Sequence, residues 1–294
     1  LICKPLLRKT IMGSGTYSNE AYAALRARQG YATKSRQEIF QAREIDPEMD
    51  PRSISMRESR DSAEHPESLS IIVALDVTGS MGFVPEDLVK NTLPDLMGSL
   101  MEAGIAHPQV LFLGIGDHIY DNAPLQVGQF ESSAELLDRW LTKVYLEQGG
   151  GGNGGESYHL AWLFAARHTV IDCWEKRQQK GFLFTIGDEP CLETIPAEII
   201  SRLTPATGSV TVSAQEILHE AQQRYHVHHM HILHTAYAAT AERQGNWRDL
   251  LGQQFIQVED YKQLASRIAN IVIDRHQPTS DTRWEDRIEV EDML

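Results

Sequence analysis

The sequence predicts an α/β protein built on a doubly wound, mostly parallel six-stranded sheet with one antiparallel edge strand, a Rossmann-like arrangement. From residue 70 onward, apolar segments of strand length alternate with helical segments. Strands that are apolar on both faces and separated by helices are typical of a parallel sheet covered on both sides. The segment LQVGQFE, residues 125–131, follows DHIYDNAP with no helix between them, which predicts the antiparallel edge strand.

Five apolar segments supply the predicted parallel strands: SIIVALD, QVLFLGIG, GFLFTIG, HVHHMHIL and FIQVED. The stretches between them predict helices at about 84–104, 132–146, 157–178, 213–224, 244–252 and 261–274. Pro94 is expected to kink the first of these helices. The helical aromatic residues are interpreted as core rather than partner contacts, and they are Trp140, Trp162, Phe164 and Trp174.

The chain divides by composition into three predicted parts. Residues 1–68 are polar and charged, and they predict an extended, partly helical N-terminal arm with Ile39, Phe40, Ile54 and Met56 as scattered apolar anchors. Residues 69–275 form the main domain, and residues 276–294 form an acidic C-terminal tail. Met12 would make a natural start of the chain, which leaves the origin of residues 1–11 open.

The net charge of the chain argues against some kinds of partner, and its cysteines argue against some kinds of site. The net charge of -14 opposes binding to phosphate backbones and anionic lipid, so we expect neither a nucleic-acid nor a membrane partner. No apolar stretch reaches the roughly 18 residues that span a bilayer. The three cysteines, Cys3, Cys173 and Cys191, form no CxxC pair and predict neither a disulfide framework nor a zinc site. A cytoplasmic location is the simplest expectation.

Oxygen-bearing side chains follow two of the predicted strands. Asp76 is the last residue of SIIVALD and alternates with Thr78 and Ser80, and Asp188 follows GFLFTIG. A third polar segment, the glycine-rich GGGGNGGES at 149–157, precedes a predicted helix. In a doubly wound sheet, ligands gather at the carboxyl ends of strands where the strand order reverses. Carboxylate, hydroxyl and amide oxygens suit a hard divalent cation, so these segments predict a metal site.

The same segments carry a family resemblance. LDVTGSMG resembles the Asp-x-Ser/Thr-x-Ser motif of the von Willebrand factor A (vWA) domain family, which forms the metal-ion-dependent adhesion site (MIDAS) of that family. FTIGDEP is similar to the segment that carries the later Asp of the family, and GGGGNGGES resembles its glycine-rich middle loop. Asn153 stands where the family has Thr or Asp, and Ser157 is the alternative middle-loop ligand. The resemblance covers about residues 69–275.

The resemblance implies binding rather than turnover. It implies that Thr78 and Ser80 ligate Mg²⁺ directly, that Asp76 and Asp188 ligate it or hold its waters, and that Asn153 completes the site, with Mn²⁺ or Ca²⁺ as alternative ions. An open coordination position would accept an acidic side chain of a partner protein. Prokaryotic cytoplasmic members of the family work with AAA+ ATPases of the MoxR type, which implies an adaptor in such an assembly.

Two other functions stay open at this point. Asn153 is an unusual middle-loop residue, so the chain is alternatively a scaffold with a degenerate metal site that binds through the arm or the tail. Asp76 is alternatively the nucleophile of a phosphohydrolase with an Asp-x-Asp-x-Thr/Val motif. Thr78 occupies the second acidic position of that motif and removes its general acid. No Ser-His-Asp or Cys-His set is apparent, so we do not expect an enzyme.

Each of these segments also has a simpler structural interpretation. The Asp76 loop is alternatively a helix N-cap, and the residues around Asp188 are alternatively a polar turn. The glycine-rich segment is alternatively a linker or a phosphate cradle, although it lacks the Gly-Lys-Ser/Thr ending of a Walker loop. Glu156 and His159 are interpreted as capping residues of the helix that follows.

Two further groups of polar residues lie near the predicted edge. The histidines of YHVHHMHILHT, residues 225–235, are interpreted as core residues of a central strand, and His234 at its end lies nearest the site. Asp117, His118 and Asp121 follow the second strand, where they either rim the site or form a plain turn.

Overall fold

The computed structural model describes residues 15–147, 154–205, 210–234, 238–245 and 247–276. Within these ranges the strands are β1 Arg57–Ser59, β2 Leu69–Asp76, β3 Pro108–Ile115, β4 Leu125–Val127, β5 Thr169–Ile171, β6 Gly181–Gly187, β7 Thr194–Ile195, β8 Val212–Ser213, β9 Tyr225–Ile232 and β10 Phe255–Val258. The α-helices are α1 Asn19–Gln29, α2 Arg36–Ile39, α3 Val84–Asp87, α4 Leu93–Glu102, α5 Ala134–Thr142, α6 His159–Arg167, α7 Asp172–Arg177, α8 Ala197–Leu203, α9 Ala214–Gln222, α10 Ala241–Gln244, α11 Trp247–Leu251 and α12 Leu264–His276. Among the residues described, no helix is long and apolar enough to cross a membrane.

The central sheet has six strands in the order β10-β9-β6-β2-β3-β4. All neighbouring pairs are parallel except β3 and β4, which are antiparallel. The predicted fold class is therefore confirmed, including the antiparallel edge strand. From β2 the chain first adds β3 and β4 on one side and later adds β6, β9 and β10 on the other. The strand order thus reverses beside β2, and the carboxyl ends of β2 and β6 flank the reversal.

Two apolar cores cover the two faces of the sheet. Alternate residues of β2 point to opposite faces, so Ile71 and Val73 belong to one core and Ile72 and Ala74 to the other. Helices α4, α5 and α12 pack on the first face, and α6, α9 and α11 pack on the second. The predicted core aromatics are buried except Trp174, which is partly buried, and they are Trp140, Trp162 and Phe164.

Some predicted helices are divided in the structure. The predicted helix at 157–178 becomes α6, β5 and α7, because the β-branched run Thr169-Val170-Ile171 forms a strand that pairs in parallel with β1. The predicted helix at 244–252 becomes α10 and α11, which are separated at Gly245, where φ is 43°. A single-sequence pattern does not reveal this strand, because its partner lies more than 100 residues away.

The predicted kink at Pro94 takes the form of a π-helical turn, Leu88–Thr92, between α3 and α4. In this turn the Leu93 N–H donates to the Leu88 carbonyl, five residues back. The next bond of that pattern would join Pro94 to Val89, but proline has no N–H. The Tyr22 hydroxyl donates to the Val89 carbonyl instead, at 2.5 Å. A tyrosine of the N-terminal arm therefore satisfies a carbonyl that Pro94 leaves without a backbone donor.

The arm also contributes to the core and to the sheet edge. Tyr22, Tyr31 and Met49 are buried in the same cluster as the first face of the central sheet. The Met49 carbonyl accepts a hydrogen bond from the Val127 N–H of β4 at 2.8 Å. Three of the four predicted anchors are buried, whereas Met56 is exposed. The described part of the arm is thus packed against the main domain along much of its length.

An ionic network joins the arm to α7. Asp61 accepts hydrogen bonds from Arg177 at 2.7 Å and from the Ser68 hydroxyl at 2.8 Å. Asp172 accepts from Arg60 at 2.8 Å and from the Asp61 N–H at 2.9 Å. Partial burial opposes ionisation of Asp61, but the hydrogen bonds from Arg177 and Ser68 hold its pKa well below the usual range. The folded state therefore favours the ionised form of Asp61.

We expect Tyr22→Phe to lower the free energy of unfolding by about 1–3 kcal/mol, because the buried Val89 carbonyl loses its donor without a change in packing volume. Urea unfolding of the full chain measures this difference. Tyr120→Phe, at an exposed tyrosine, is the control and should leave the midpoint unchanged. An equal midpoint for Tyr22→Phe and the wild type would contradict the role given to this bond.

A second prediction concerns pH. Because the pKa of Asp61 is depressed in the folded state, its contribution to stability is complete above the unfolded-state value near 3.9 and is lost as the pH falls below it. We expect the stability difference between the wild type and Asp61→Asn to be largest near pH 7 and to shrink between pH 5 and pH 2. Urea unfolding as a function of pH measures it, with the exposed Glu44→Gln as control. A difference that stays constant across this range would contradict the assignment.

Candidate functional site

The loop after β2 turns back on the last residue of that strand. Asp76 is fully buried, and its Oδ1 accepts hydrogen bonds from the Thr78 N–H at 2.9 Å and the Thr78 hydroxyl at 2.7 Å. A short 3₁₀ turn, Gly79–Met81, follows. Gly82 then has a φ of 53°, a left-handed conformation that glycine adopts readily. These local bonds bring the side chains at 76, 78 and 80 together.

Asp188 completes the group from the neighbouring strand. It directly follows β6, which pairs with β2 in parallel, so both strands end at the same edge of the sheet. The Ser80 hydroxyl donates to Asp188 Oδ1 at 2.9 Å, and the Thr78 and Ser80 hydroxyl oxygens lie 3.2 Å apart. The structure thus brings four of the five predicted ligands together. The fifth, Asn153, lies outside the described residues.

The four side chains present suit a hard cation. Each hydroxyl uses its one proton in a hydrogen bond to a carboxylate. The Thr78 and Ser80 oxygens therefore have only lone pairs to turn toward each other. Their separation of 3.2 Å is close to the distance of about 2.9 Å expected between adjacent ligands of an octahedral Mg²⁺ with bonds near 2.0–2.1 Å. In the part of the chain that is described, no three His, Cys, Asp or Glu side chains form a metal-binding group. The candidate set is instead two carboxylates and two hydroxyls.

Negative charge accumulates at this point. Burial, together with the nearby Asp188 carboxylate, raises the pKa of Asp76 to about 7. The imidazole of His234 lies beside Asp188, with Nε2 3.8 Å from Oδ2. The same nitrogen donates to the Ser80 carbonyl at 2.8 Å. His234 therefore lies at the site, as its place at the end of β9 indicated. A divalent cation would offset the repulsion between the two carboxylates.

A tyrosine that the sequence analysis did not identify contacts Asp76. The hydroxyl of the fully buried Tyr158 donates to Asp76 Oδ2 at 2.8 Å. Its ring meets the rings of His229 and Trp247 edge-on, with centroids 5.0 and 5.3 Å away. A Cβ added at Gly187 would lie 1.8 Å from the Tyr158 hydroxyl, so only glycine fits there. The local motif around Asp76 gives no sign of this donor, because Tyr158 lies 82 residues further along the chain.

The end of the glycine-rich segment runs beside the loop that carries Asp188. The Glu156 N–H donates to the Pro190 carbonyl at 2.8 Å, and the Leu192 N–H donates to the Glu156 carbonyl at 3.0 Å. The interpretation of Glu156 as a helix-capping residue is wrong, because Tyr158 occupies the N-cap position of α6 and no side chain caps that helix. Its carboxyl is buried with Oε2 unpaired, and burial together with Asp76 raises its pKa to about 11.

Ser157 and the loop after β3 bind each other. The Ser157 hydroxyl oxygen lies 2.9 Å from the His118 N–H and 2.7 Å from His118 Nδ1. Asp121 Oδ2 accepts from the Asp117 N–H at 2.7 Å, which closes a turn. None of these hydrogen bonds reaches Thr78 or Ser80. The three residues after β3 thus form a turn that contacts the glycine-rich segment next to the candidate site.

The histidines of β9 are largely core residues. His228, His229 and His231 are buried, and His226 is partly buried. His229 lies 2.9 Å from the Thr185 hydroxyl through Nδ1 and stacks on Trp247 with centroids 3.6 Å apart. Burial lowers its pKa well below the usual value, so the ring is neutral. These contacts favour the core interpretation over a metal site.

Arg243 and Trp247 hold the residue beside Asp188. The Arg243 guanidinium forms an ion pair with the Glu189 carboxylate, and both side chains are largely buried. The Trp247 indole N–H donates to the Glu189 carbonyl at 3.0 Å. Glu189 is thereby turned toward Arg243, which leaves Asp188 as the carboxylate that meets Ser80. The segment after β9 thus fixes the loop that follows β6.

Comparisons with known proteins give structural neighbours only. No family model matches the chain, and no curated protein matches its sequence. The pilus adhesin SpaC from Lactobacillus rhamnosus GG, in its open conformation, aligns over 74% of this chain and 31% of its own, with 10% identity and a TM-score of 0.47. The SpRpn10 VWA domain aligns over 69% and 94% of the two chains, with 11% identity and a TM-score of 0.41. A von Willebrand factor type A protein from Catenulispora acidiphila aligns over 70% and 42%, with 12% identity and a TM-score of 0.38.

This chain spans about a third of the length of the SpaC structures that it matches. At such identities and TM-scores, the alignments say nothing about function. The fold assignment therefore depends on the sheet order of this chain itself.

We expect Arg243→Met to lower the free energy of unfolding by about 3 kcal/mol, because it leaves the Glu189 carboxylate buried without its partner. Adding Glu189→Gln to that variant should restore part of the loss, since the uncompensated charge disappears. Arg248→Met, at an exposed arginine of α11, is the matched control. Thermal and urea unfolding measure the four proteins, and equal stability of Arg243→Met and Arg248→Met would contradict the prediction.

Proposed function

We propose that this chain is a vWA-type protein-binding module that holds a divalent cation and uses it to engage an acidic side chain of a partner protein. Asp76, Thr78, Ser80 and Asp188 would hold the ion, with Asn153 as the predicted middle-loop ligand. Mg²⁺ is the proposed ion, and Mn²⁺ and Ca²⁺ are the alternatives. When bound, the cation would supply positive charge and a coordination position that a carboxylate of the partner can fill.

The observation that carries this proposal is the meeting of the Asp76 loop with Asp188 at the point where the strand order reverses. Ser80 and Asp188 are separated by 108 residues, and their side chains are 2.9 Å apart. The hydroxyl protons of Thr78 and Ser80 are used in hydrogen bonds to the carboxylates, so the lone pairs of the two oxygens can bind a cation. Helix capping alone would not require a second buried carboxylate in this place.

Exposed apolar side chains at the same edge support a protein as the partner. Phe83 follows the Asp76 loop directly and is 72% exposed, and Ile119 and Tyr120 in the turn after β3 are 56% and 59% exposed. The turn is tied through His118 to Ser157, next to the Tyr158 that binds Asp76. Large exposed apolar residues around a polar centre are typical of protein-interaction surfaces.

The finer assignment of the partner depends on the sequence resemblance. We propose a cytoplasmic assembly with an AAA+ ATPase of the MoxR type, in which this chain acts as an adaptor. A scaffold with a degenerate metal site is the alternative, because Asn153 is the unusual residue of the motif.

A phosphohydrolase is disfavoured. Both Asp76 oxygens accept hydrogen bonds and the side chain is fully buried, which impedes nucleophilic attack on a phosphoryl group.

We expect the full chain to bind Mg²⁺ in isothermal titration calorimetry, and we expect Ser80→Ala to weaken this binding by at least tenfold because it removes a direct ligand. Ser266→Ala, at an exposed serine of α12, is the control and should bind as the wild type does. If the wild type binds no divalent ion, the metal-dependent mechanism is wrong.

The partner is tested by affinity purification in Mg²⁺ and in EDTA, with Ser80→Ala alongside the wild type. A partner that the wild type retains in Mg²⁺ and releases in EDTA, and that Ser80→Ala does not retain, supports the proposal. If a partner is retained equally in Mg²⁺ and in EDTA, and equally by the wild type and by Ser80→Ala, the scaffold alternative is favoured. Hydrolysis of p-nitrophenyl phosphate that Asp76→Asn abolishes would replace the proposal with the phosphohydrolase.

A further inference from the structure

The two oxygens of Asp76 have different environments. Oδ1 faces the loop and accepts from the N–H and the hydroxyl of Thr78. Oδ2 faces away from the loop and accepts from the Tyr158 hydroxyl at 2.8 Å. Rotation of the carboxylate to present both oxygens to the loop would break the bond to Tyr158. Asp76 is therefore held with one oxygen toward the candidate cation position.

The surroundings of Tyr158 prevent its hydroxyl from following such a rotation. The ring is fully buried at the N-terminus of α6 and lies against His229 and Trp247. Trp247 is itself tied to the Glu189 carbonyl. The backbone of Gly187 closes the remaining side, so closely that any larger residue would overlap the phenol. The donor to Oδ2 is thus built into the core and does not depend on a mobile side chain.

Divalent ions differ in how they use carboxylates. Ca²⁺ takes 6–8 oxygen ligands at about 2.3–2.6 Å in flexible geometry and commonly binds both oxygens of one carboxylate. Mg²⁺ requires near-octahedral geometry at about 2.0–2.1 Å, which a single oxygen of each carboxylate satisfies. A carboxylate that can offer only one oxygen therefore favours Mg²⁺ over Ca²⁺.

We propose that Tyr158 is a positioning residue that restricts Asp76 to one oxygen toward the cation and thereby sets a preference for Mg²⁺ over Ca²⁺. This inference rests on the proposed function, since it concerns the selectivity of the same site. It adds a residue outside the predicted ligand set and assigns the choice of ion to a hydrogen bond rather than to a ligand.

The test compares the affinities of the full chain for Mg²⁺ and Ca²⁺, each measured alone by isothermal titration calorimetry. The wild type should bind Mg²⁺ more tightly than Ca²⁺. Tyr158→Phe removes the donor and keeps the ring, so the ratio of the two affinities should shift toward Ca²⁺ by at least fivefold. Tyr225→Phe is the matched control, because Tyr225 is also buried and its hydroxyl binds Thr169 at 2.6 Å. Its ratio should remain that of the wild type.

Several results would overturn the inference. An unchanged ratio in Tyr158→Phe, an equal shift in Tyr225→Phe, or a wild type that prefers Ca²⁺ would each contradict selectivity by Tyr158 while leaving a metal site in place. A wild type that binds neither ion would instead remove the proposed function, and this inference with it.

A second measurement does not depend on the folding of a variant. A crystal structure of the wild type soaked with Ca²⁺ should show Asp76 contacting the ion through one oxygen, with Oδ2 still bonded to Tyr158. Coordination through both Asp76 oxygens would overturn the inference.

Discussion

The candidate site depends on one constraint, the placement of two acidic side chains at the ends of adjacent parallel strands. β2 and β6 run in the same direction, so Asp76 and Asp188 emerge at the same edge of the sheet. Each carboxylate accepts a hydrogen bond from a hydroxyl of the Asp76 loop, which orients Thr78 and Ser80 between them. The loop conformation, the hydrogen bond from Tyr158 to Asp76 and the Arg243–Glu189 pair beside Asp188 hold these groups in place.

A cluster of buried aromatic residues supports this edge of the sheet from within the core. Tyr158, Trp247 and His229 pack together beneath Asp76 and join α6, α11 and β9. This aromatic cluster leaves no room for a side chain at Gly187. The orientation of the Asp76 carboxylate is therefore determined by packing in the core of the domain. A rigid support of this kind is what a metal site requires from the residues around its ligands.

The N-terminal arm has an equally specific role elsewhere in the domain. Pro94 interrupts the hydrogen bonding of the helix after the Asp76 loop, and Tyr22 supplies the missing donor. Arg36 donates to the Gly82 carbonyl at 2.5 Å, directly at the end of the same loop. The arm thus contacts both the loop and the helix that follows it. The polar composition of the arm does not predict these contacts, because the residues that it buries against the domain are mainly its few apolar and aromatic ones.

The sequence by itself determined the fold class, the edge strand and the residues that lie at the carboxyl ends of β2 and β6. These features follow from local properties, namely two-sided apolar strands, helical spacing and the alternation of Asp76, Thr78 and Ser80. The strand β5, the donor to Asp76 and the position of Glu156 outside α6 were decided only by the tertiary structure. Each of these depends on a partner that is distant in the chain: β1 for β5, Asp76 for Tyr158, and the 190–192 segment for Glu156. Local pattern specifies which residues are apolar or extended, whereas pairing and packing between distant segments decide which of them meet.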